Sequence, residues 1–204
     1  LRANGGEGLI GLFARKAWTE PETTAVTELQ APAQKSWLVF ADHTNLGGEI
    51  VARLRTTGVR CRVVHRNHQF ATAGADSFTL RDEDPSHWSQ LLAACADDPP
   101  ERFVFVWNLD DTHPQIDEDA ALLGADGIFH LVKAFETACP SAKLHIDLVT
   151  RGAQAVGREM KSVAVAQAAA VGLMRVVANE HPGFTCSSID LPPTASAADV
   201  ATLW

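Results

Sequence analysis

Residues 41–47 (ADHTNLG) follow a short apolar run, the position at which an α/β sheet places a dinucleotide-binding turn. Glycines in such a turn permit a tight bend and let the backbone approach the pyrophosphate. Only the last of the expected glycines, Gly47, is present here. Ala41 replaces the glycine of the bend, and Thr44 or Asn45 replaces the glycine of the close approach, each adding a Cβ. We therefore predict that Gly47 serves helix–strand packing and that the turn binds no dinucleotide.

Asp42 strengthens this prediction, because its carboxylate would lie beside a dianionic pyrophosphate. At ~4 Å the repulsion costs about 1–4 kcal/mol, depending on solvent exposure. The chain also contains no tyrosine, the general acid of short-chain reductases. It cannot carry out that reaction alone, and we predict no catalytic, cofactor-binding or metal-binding residue in it. An independent reductase with an unusual turn is an alternative, and His43 is then the first candidate for the acid.

Two further groups of residues have the types that bind ligands. Cys61, His65 and His68 could be read as three metal ligands, but a strand followed by a polar loop is the preferred interpretation. Arg66 ends the same predicted strand, where reductases that use NADPH often hold the 2′-phosphate. Since the phosphate-binding turn has been lost, we expect a vestigial or solvent-facing arginine.

Polar residues also follow two later strands. Asp110 and Asp111 suggest a carboxylate pair or a divalent-ion site together with Asp117, Glu118 and Asp119, although the last three are better explained by the dipole of the helix they begin. A second polar segment follows a later strand, at the edge where α/β sheets bind ligands. We interpret it as a turn that fixes the next segment; its residues are Thr150, Arg151, Gly152 and Ala153.

These residues are positioned by elements that alternate along the chain. Short apolar runs typical of buried strands are followed by segments with apolar residues at helical spacing. The predicted strands are residues 36–41, 60–65, 77–80, 102–107, 143–150 and 185–191, and the predicted helices are residues 46–57, 84–96, 119–137 and 162–181. This alternation predicts an α/β fold with a mostly parallel sheet flanked by helices.

The length, charge and cysteine spacing limit the organisation. Residues 36–204 are predicted to form one domain, and residues 1–35 a linker with a strand at residues 13–18. The net charge of −8 argues against a nucleic-acid partner, and no apolar run is long enough for a membrane span. Four dispersed cysteines without a secretory signal predict free thiols and a cytoplasmic protein. Leu1 and the helical pattern of residues 195–204 predict a segment cut from a longer polypeptide.

Residues 163–178 (VAVAQAAAVGLMRVVA) form a predicted helix that is apolar nearly all round. One side of such a helix packs on its own sheet, and the other side needs a second neighbour. We therefore predict contact with another domain.

Several segments together resemble the ketoreductase region of modular type I polyketide synthases. The resemblance is carried by residues 148–154 (LVTRGAQ), 165–182 (VAQAAAVGLMRVVANEHP) and 188–191 (SIDL), and by residues 37–47 (WLVFADHTNLG) and 106–110 (VWNLD). It implies that this chain is the first, truncated Rossmann-like half of that region, a structural subdomain without catalytic residues. The second half would hold NADPH and reduce β-ketoacyl intermediates carried on the phosphopantetheine of a carrier protein.

The resemblance also implies the partners, which are the catalytic half and other domains of the same synthase. An alternative within the family is an inactive pseudo-ketoreductase, which serves as a scaffold for neighbouring domains such as a methyltransferase. In either case the chain itself is expected to be non-catalytic.

Overall fold

The computed structural model of the chain describes residues 36–44, 46–110, 118–154 and 164–192, with the backbone alone for residues 118–124. The chain divides into two compact units, Leu1–Gln30 and Ala31–Trp204, and every described residue belongs to the second. The strand expected at residues 13–18 and the helix expected at residues 195–204 lie outside the described residues.

Strands and helices alternate as predicted, with small differences at their ends. The strands are β1 (Ser36–Phe40), β2 (Arg60–Arg66), β3 (Ala71–Thr72), β4 (Ser77–Leu80), β5 (Arg102–Phe105), β6 (Leu144–Arg151) and β7 (Phe184–Leu191). The helices are α1 (Leu46–Thr56), α2 (Pro85–Ala94), α3 (Glu118–Ala138) and α4 (Val165–Glu180). Strand β5 is shorter than predicted, because Trp107–Asp110 turns into a 3₁₀ helix, and the two-residue strand β3 was not predicted.

The strands form one sheet in the order β3-β4-β2-β1-β5-β6-β7. All neighbours are parallel except β3 and β4. If β3 is left out, the six parallel strands have the 3-2-1-4-5-6 order of doubly wound dinucleotide-binding sheets. The predicted fold class, a mostly parallel Rossmann-like sheet flanked by helices, is confirmed.

Apolar side chains cover both faces of the sheet. On one face Phe40 stacks on Phe105 with ring centroids 4.2 Å apart, and α2, α3 and α4 pack over them. On the other face α1 contributes Ile50 and Leu54, which pack against β1 and β5. Fully burying a large apolar side chain contributes about 1.5–3 kcal/mol, so these two layers hold the strand ends in a fixed arrangement.

The first residues of α1 and α2 explain why each helix begins where it does. Asp84 caps α2 by accepting a hydrogen bond from the Ser86 N–H at 2.9 Å, and Pro85 occupies the first turn. Helix α1 begins against the end of β1, since a Cβ built on Gly47 would lie 2.6 Å from the Ala41 Cα. This contact confirms the predicted packing role of Gly47. None of the described helices is long and apolar enough to cross a membrane.

We predict that Gly47→Ala destabilises the domain by about 2 kcal/mol or more, because the added methyl meets backbone that cannot rotate away. Urea unfolding of the chain measures the change. Gly172→Ala in α4 is the matched control, since its Cβ would meet no atom within 4 Å. Higher helix propensity should leave that variant unchanged or stabilise it by up to about 1 kcal/mol. Equal losses in both variants would contradict this account of Gly47.

Candidate functional site

The candidate site lies where the strand order reverses, between the carboxyl ends of β1 and β5. Open α/β sheets bind their ligands in the crevice at this point. Here the crevice is bordered by residues 41–44, which follow β1, and by Trp107–Asp110, which follow β5. Asn45, which belongs to the same turn, lies outside the described residues.

Asp42 is the central residue of this turn, and its side chain is turned inward rather than toward solvent. It is only 4% exposed, and its Oδ1 accepts a hydrogen bond from the Gly47 N–H at 2.7 Å. Its Oδ2 accepts a hydrogen bond from the Thr44 hydroxyl. The Gly47 N–H belongs to the first turn of α1, where the helix leaves backbone donors without an internal partner. The carboxylate therefore takes a donor of the kind that a cofactor phosphate would otherwise use.

Asp110 places a second carboxylate in the crevice. Its Oδ1 accepts a hydrogen bond from the His43 N–H at 2.7 Å, which ties the turn after β1 to the turn after β5. Among the described residues, no hydrogen-bond partner reaches its buried Oδ2. Burial raises the pKa of Asp110 above its ordinary value of 3.8; the hydrogen bond from His43 opposes this rise, and the charge of Asp42 adds to it. Ionising Asp110 is therefore costly in the folded chain.

The other acidic residues of that segment are outside this description. Asp111 and Asp117 lie beyond the described residues, and Glu118 and Asp119 are described only as backbone at the start of α3. Their proposed role at the helix dipole stays a prediction.

Arg66 does not face solvent, so that part of its prediction was wrong. Its Nε lies 2.9 Å from Asp82 Oδ2, close enough for an ion pair although the N–H is not aligned for a hydrogen bond. Its guanidinium carbon also lies 5.1 Å from the centre of the Trp107 ring. The reason is topological, since β2 pairs with β4 and the residues after both strands meet at one edge of the sheet.

Cys61, His65 and His68 do not form a metal site. Because β2 is extended, the Cα atoms of Cys61 and His65 are about 13 Å apart, too far to share one ion. Cys61 is buried among the residues beneath α1, and burial raises the pKa of its thiol to about 11. His68 lies in the exposed loop after the strand. Within the described ranges, no group of three or more potential ligands is placed to hold a metal.

The segment from Thr150 to Gln154 is a turn fixed by one carboxylate. Asp190 on β7 accepts hydrogen bonds from the Thr150 hydroxyl at 2.8 Å and from the N–H groups of Ala153 and Gln154, each at 2.9 Å. Gly152 has φ +65°, a left-handed conformation that glycine adopts without strain. The segment is therefore a hydrogen-bonded turn, as predicted, and the residues that directly follow it lie outside the described residues.

A serine, a histidine and an aspartate that sequence reasoning missed meet on β6 and β7. His145 Nε2 lies 2.9 Å from Asp147 Oδ1 and 3.1 Å from Ser187 Oγ. Hydrolytic triads use the two ring nitrogens separately, whereas both contacts here share Nε2, so no proton relay to the serine exists. Arg102 also donates to Asp147, at 2.5 Å, which makes the group a cross-strand ion pair. Only the spacing of His145 and Asp147 was visible in the sequence, because Ser187 joins through strand register.

We predict that Asp110→Asn stabilises the chain at neutral pH, since the amide oxygen keeps the bond to the His43 N–H while the carboxylate charge is removed. A raised pKa favours folding at low pH, and that contribution is lost as the pH rises through the folded-state value. The gain in melting temperature over the parent chain should therefore grow from pH 4 to pH 7. Thermal unfolding across that range measures it, and a gain that shrinks with rising pH would contradict the assignment.

Residues 18–203 match the family described as "Polyketide synthase extender module SpnB, Rossmann fold domain". No curated protein matched the chain.

Several solved structures share the fold. One is a keto acid-selecting NRPS module with adenylation, ketoreductase and pseudo Asub domains, with TM-score 0.71, 19% identity and coverage of 83% of this chain and 15% of that one. A C2-type ketoreductase from a modular polyketide synthase has TM-score 0.57, 24% identity and coverage of 82% and 34%. An N-terminal ketoreductase from the macrolactin assembly line has TM-score 0.58, 15% identity and coverage of 78% and 32%.

At these identities the structural likeness shows the fold alone, and the chain spans about a third or less of each of these three relatives. The family match is broader, since it extends over nearly the whole sequence. The chain therefore belongs to the family of Rossmann fold domains found in polyketide synthase extender modules.

Proposed function

We propose that this chain is the structural half of a polyketide synthase ketoreductase, which binds no cofactor and supports the half that reduces β-ketoacyl intermediates with NADPH. The observation that carries the proposal is an exposed apolar stripe on α4, which a neighbouring domain would cover. The stripe consists of Val165, Ala169, Gly172 and Val176.

The stripe lies directly opposite the buried side of the same helix. At 100° per residue, its four members fall within roughly 60° of one another. Ala170, Met174 and Val177 are on the other side and pack against the core. Val165 and Val176 are 47% and 46% exposed, although valine is among the residues most often buried. A helix that is apolar on two opposite sides is typical of one that lies between two packed layers.

Helix α3, which packs against α4, also exposes an aromatic residue. Phe129 is 45% exposed, and the Lys133 ammonium lies 5.1 Å from its ring centre. Both helices therefore carry exposed apolar side chains. Such a surface suits a permanent contact within one multidomain protein.

Residues 41–47, the turn after β1 at the point where the strand order reverses, are called the switch-point turn. Its described residues do not fit a dinucleotide. Asp42 takes the Gly47 N–H, Asp110 takes the His43 N–H, and both place negative charge where a pyrophosphate would need positive potential. Arg66, at the position where reductases that use NADPH often hold the 2′-phosphate, is paired with Asp82. The chain also lacks a tyrosine to serve as the acid. NADPH and the phosphopantetheine-bound substrate are therefore assigned to other parts of the synthase.

The interface is tested with two alanines of α4 that are both exposed in the described chain. Ala169 lies in the stripe and Ala178 lies outside it. We predict that Ala169→Asp leaves the stability of the isolated chain almost unchanged but destabilises the intact two-half protein by about 3 kcal/mol, because it buries an unpaired charge at the contact. Ala178→Asp is the matched control and should affect neither protein strongly, although it lies nearer the negative end of the helix.

Thermal unfolding of both proteins, with NADPH consumption by the intact one, measures the effect. Equal behaviour of the two variants in the intact protein would overturn the assignment of the stripe. The alternative of an independent reductase requires NADPH binding by this chain alone. A fluorescence or calorimetric titration that gave micromolar affinity would therefore refute the proposed function directly.

A further inference from the structure

We propose that the Asp42 carboxylate is a built-in anion that occupies the N-terminus of α1 in place of a phosphate and holds the switch-point turn closed. This inference deepens the proposed function, since it rests on the turn having no phosphate ligand. The Asp42 carboxylate replaces that ligand, and the stability of the turn depends on it.

The position of the carboxylate is that of a bound anion. Helix α1 starts so close to β1 that Gly47 has no room for a Cβ, which would lie 2.6 Å from the Ala41 Cα and 3.2 Å from the Asp42 N. The first turn of α1 therefore places the Gly47 N–H at the end of β1. The Gly47 N–H donates to Asp42 Oδ1 at 2.7 Å within a buried environment.

The donors that surround the carboxylate are those of a phosphate site. One is a helix N-terminal N–H and the other is the Thr44 hydroxyl, and no Lys or Arg forms an ion pair with Asp42 among the described residues. A carboxylate that is 4% exposed needs such compensation, because burying an unpaired charge is costly. The α1 dipole supplies positive potential at the same point. Asp42 therefore accepts a hydrogen bond from a backbone donor at the start of α1, and that donor stabilises the buried carboxylate.

A second hydrogen bond holds the turn from the segment that follows β5. Asp110 accepts the His43 N–H at 2.7 Å, so a second backbone donor of the turn is also used internally. An incoming phosphate would find two backbone donors occupied and two carboxylates beside it. Removal of Asp42 alone would free the donor at the helix end, where an exogenous anion gains the most from the dipole.

Chemical rescue of the 204-residue chain tests the proposal. Asp42→Gly should lower the melting temperature by about 4–8 °C, the loss expected for a helix end without its capping carboxylate. Sodium phosphate or sodium acetate at about 100 mM should restore roughly 2–4 °C of it beyond sodium chloride at equal ionic strength. The parent chain should show no such anion-specific gain.

Asp190→Gly is the matched control, because that carboxylate also accepts backbone N–H groups, from Ala153 and Gln154 in the turn after β6, whereas Gly47 lies in the first turn of α1. It should be destabilised and not rescued. Equal rescue of both glycine variants, or an equal anion-specific gain in the parent chain, would overturn the proposal. A folded Asp42→Gly chain that gains nothing from phosphate or acetate would overturn it as well.

A second variant keeps the test decisive where Asp42→Gly does not fold. Asp42→Asn retains an acceptor for Gly47 but no charge, and it is compared in an Asp110→Asn background so that relief of carboxylate repulsion does not enter. The double variant should melt below Asp110→Asn alone, and equal melting temperatures would refute the requirement for an anion. Failure of the rescue would refute the role of Asp42 but not the proposed function. NADPH binding by the parent chain would refute the proposed function.

Discussion

The close approach of α1 to the end of β1 is the contact on which the rest of the structure depends. Gly47 permits it, because any side chain at this position would overlap the Ala41 backbone. The approach places the Gly47 N–H beside the turn, where it donates a hydrogen bond to Asp42. Once α1 is fixed, its apolar side can cover β1 and β5 on one face of the sheet while α2, α3 and α4 cover the other.

The polar residues at the carboxyl ends of the strands are used to hold the protein together. In this fold those ends form the ligand site. Here Asp42 and Asp110 bind the turn after β1, Asp82 pairs with Arg66, and Asp190 fixes the turn after β6. These carboxylates therefore hold neighbouring segments of the fold together, and α4 exposes its apolar stripe to solvent.

Several features could be predicted from the sequence because they depend on local order. The alternation of apolar runs and helical spacing predicted the sheet and the four helices of the described residues, since each element buries a side that its own periodicity creates. Helix α2 lies within the segment predicted as helix, residues 84–96, and the retained Gly47 predicted the close packing of α1 on β1. The absent tyrosine was equally plain, because it is a property of composition.

Other features were decided only by the tertiary structure. Arg66 was expected to be vestigial or solvent-facing, but the pairing of β2 with β4 places Asp82 beside it. Ser187 reaches His145, and Asp190 reaches the turn after β6, because β6 and β7 pair in one particular register. The sequence determined which segments form strands and helices, and its composition shows that the chain has no tyrosine. Which polar groups meet was set by strand order and register, since the contacts between β6 and β7 join residues roughly forty positions apart whose proximity no local pattern encodes.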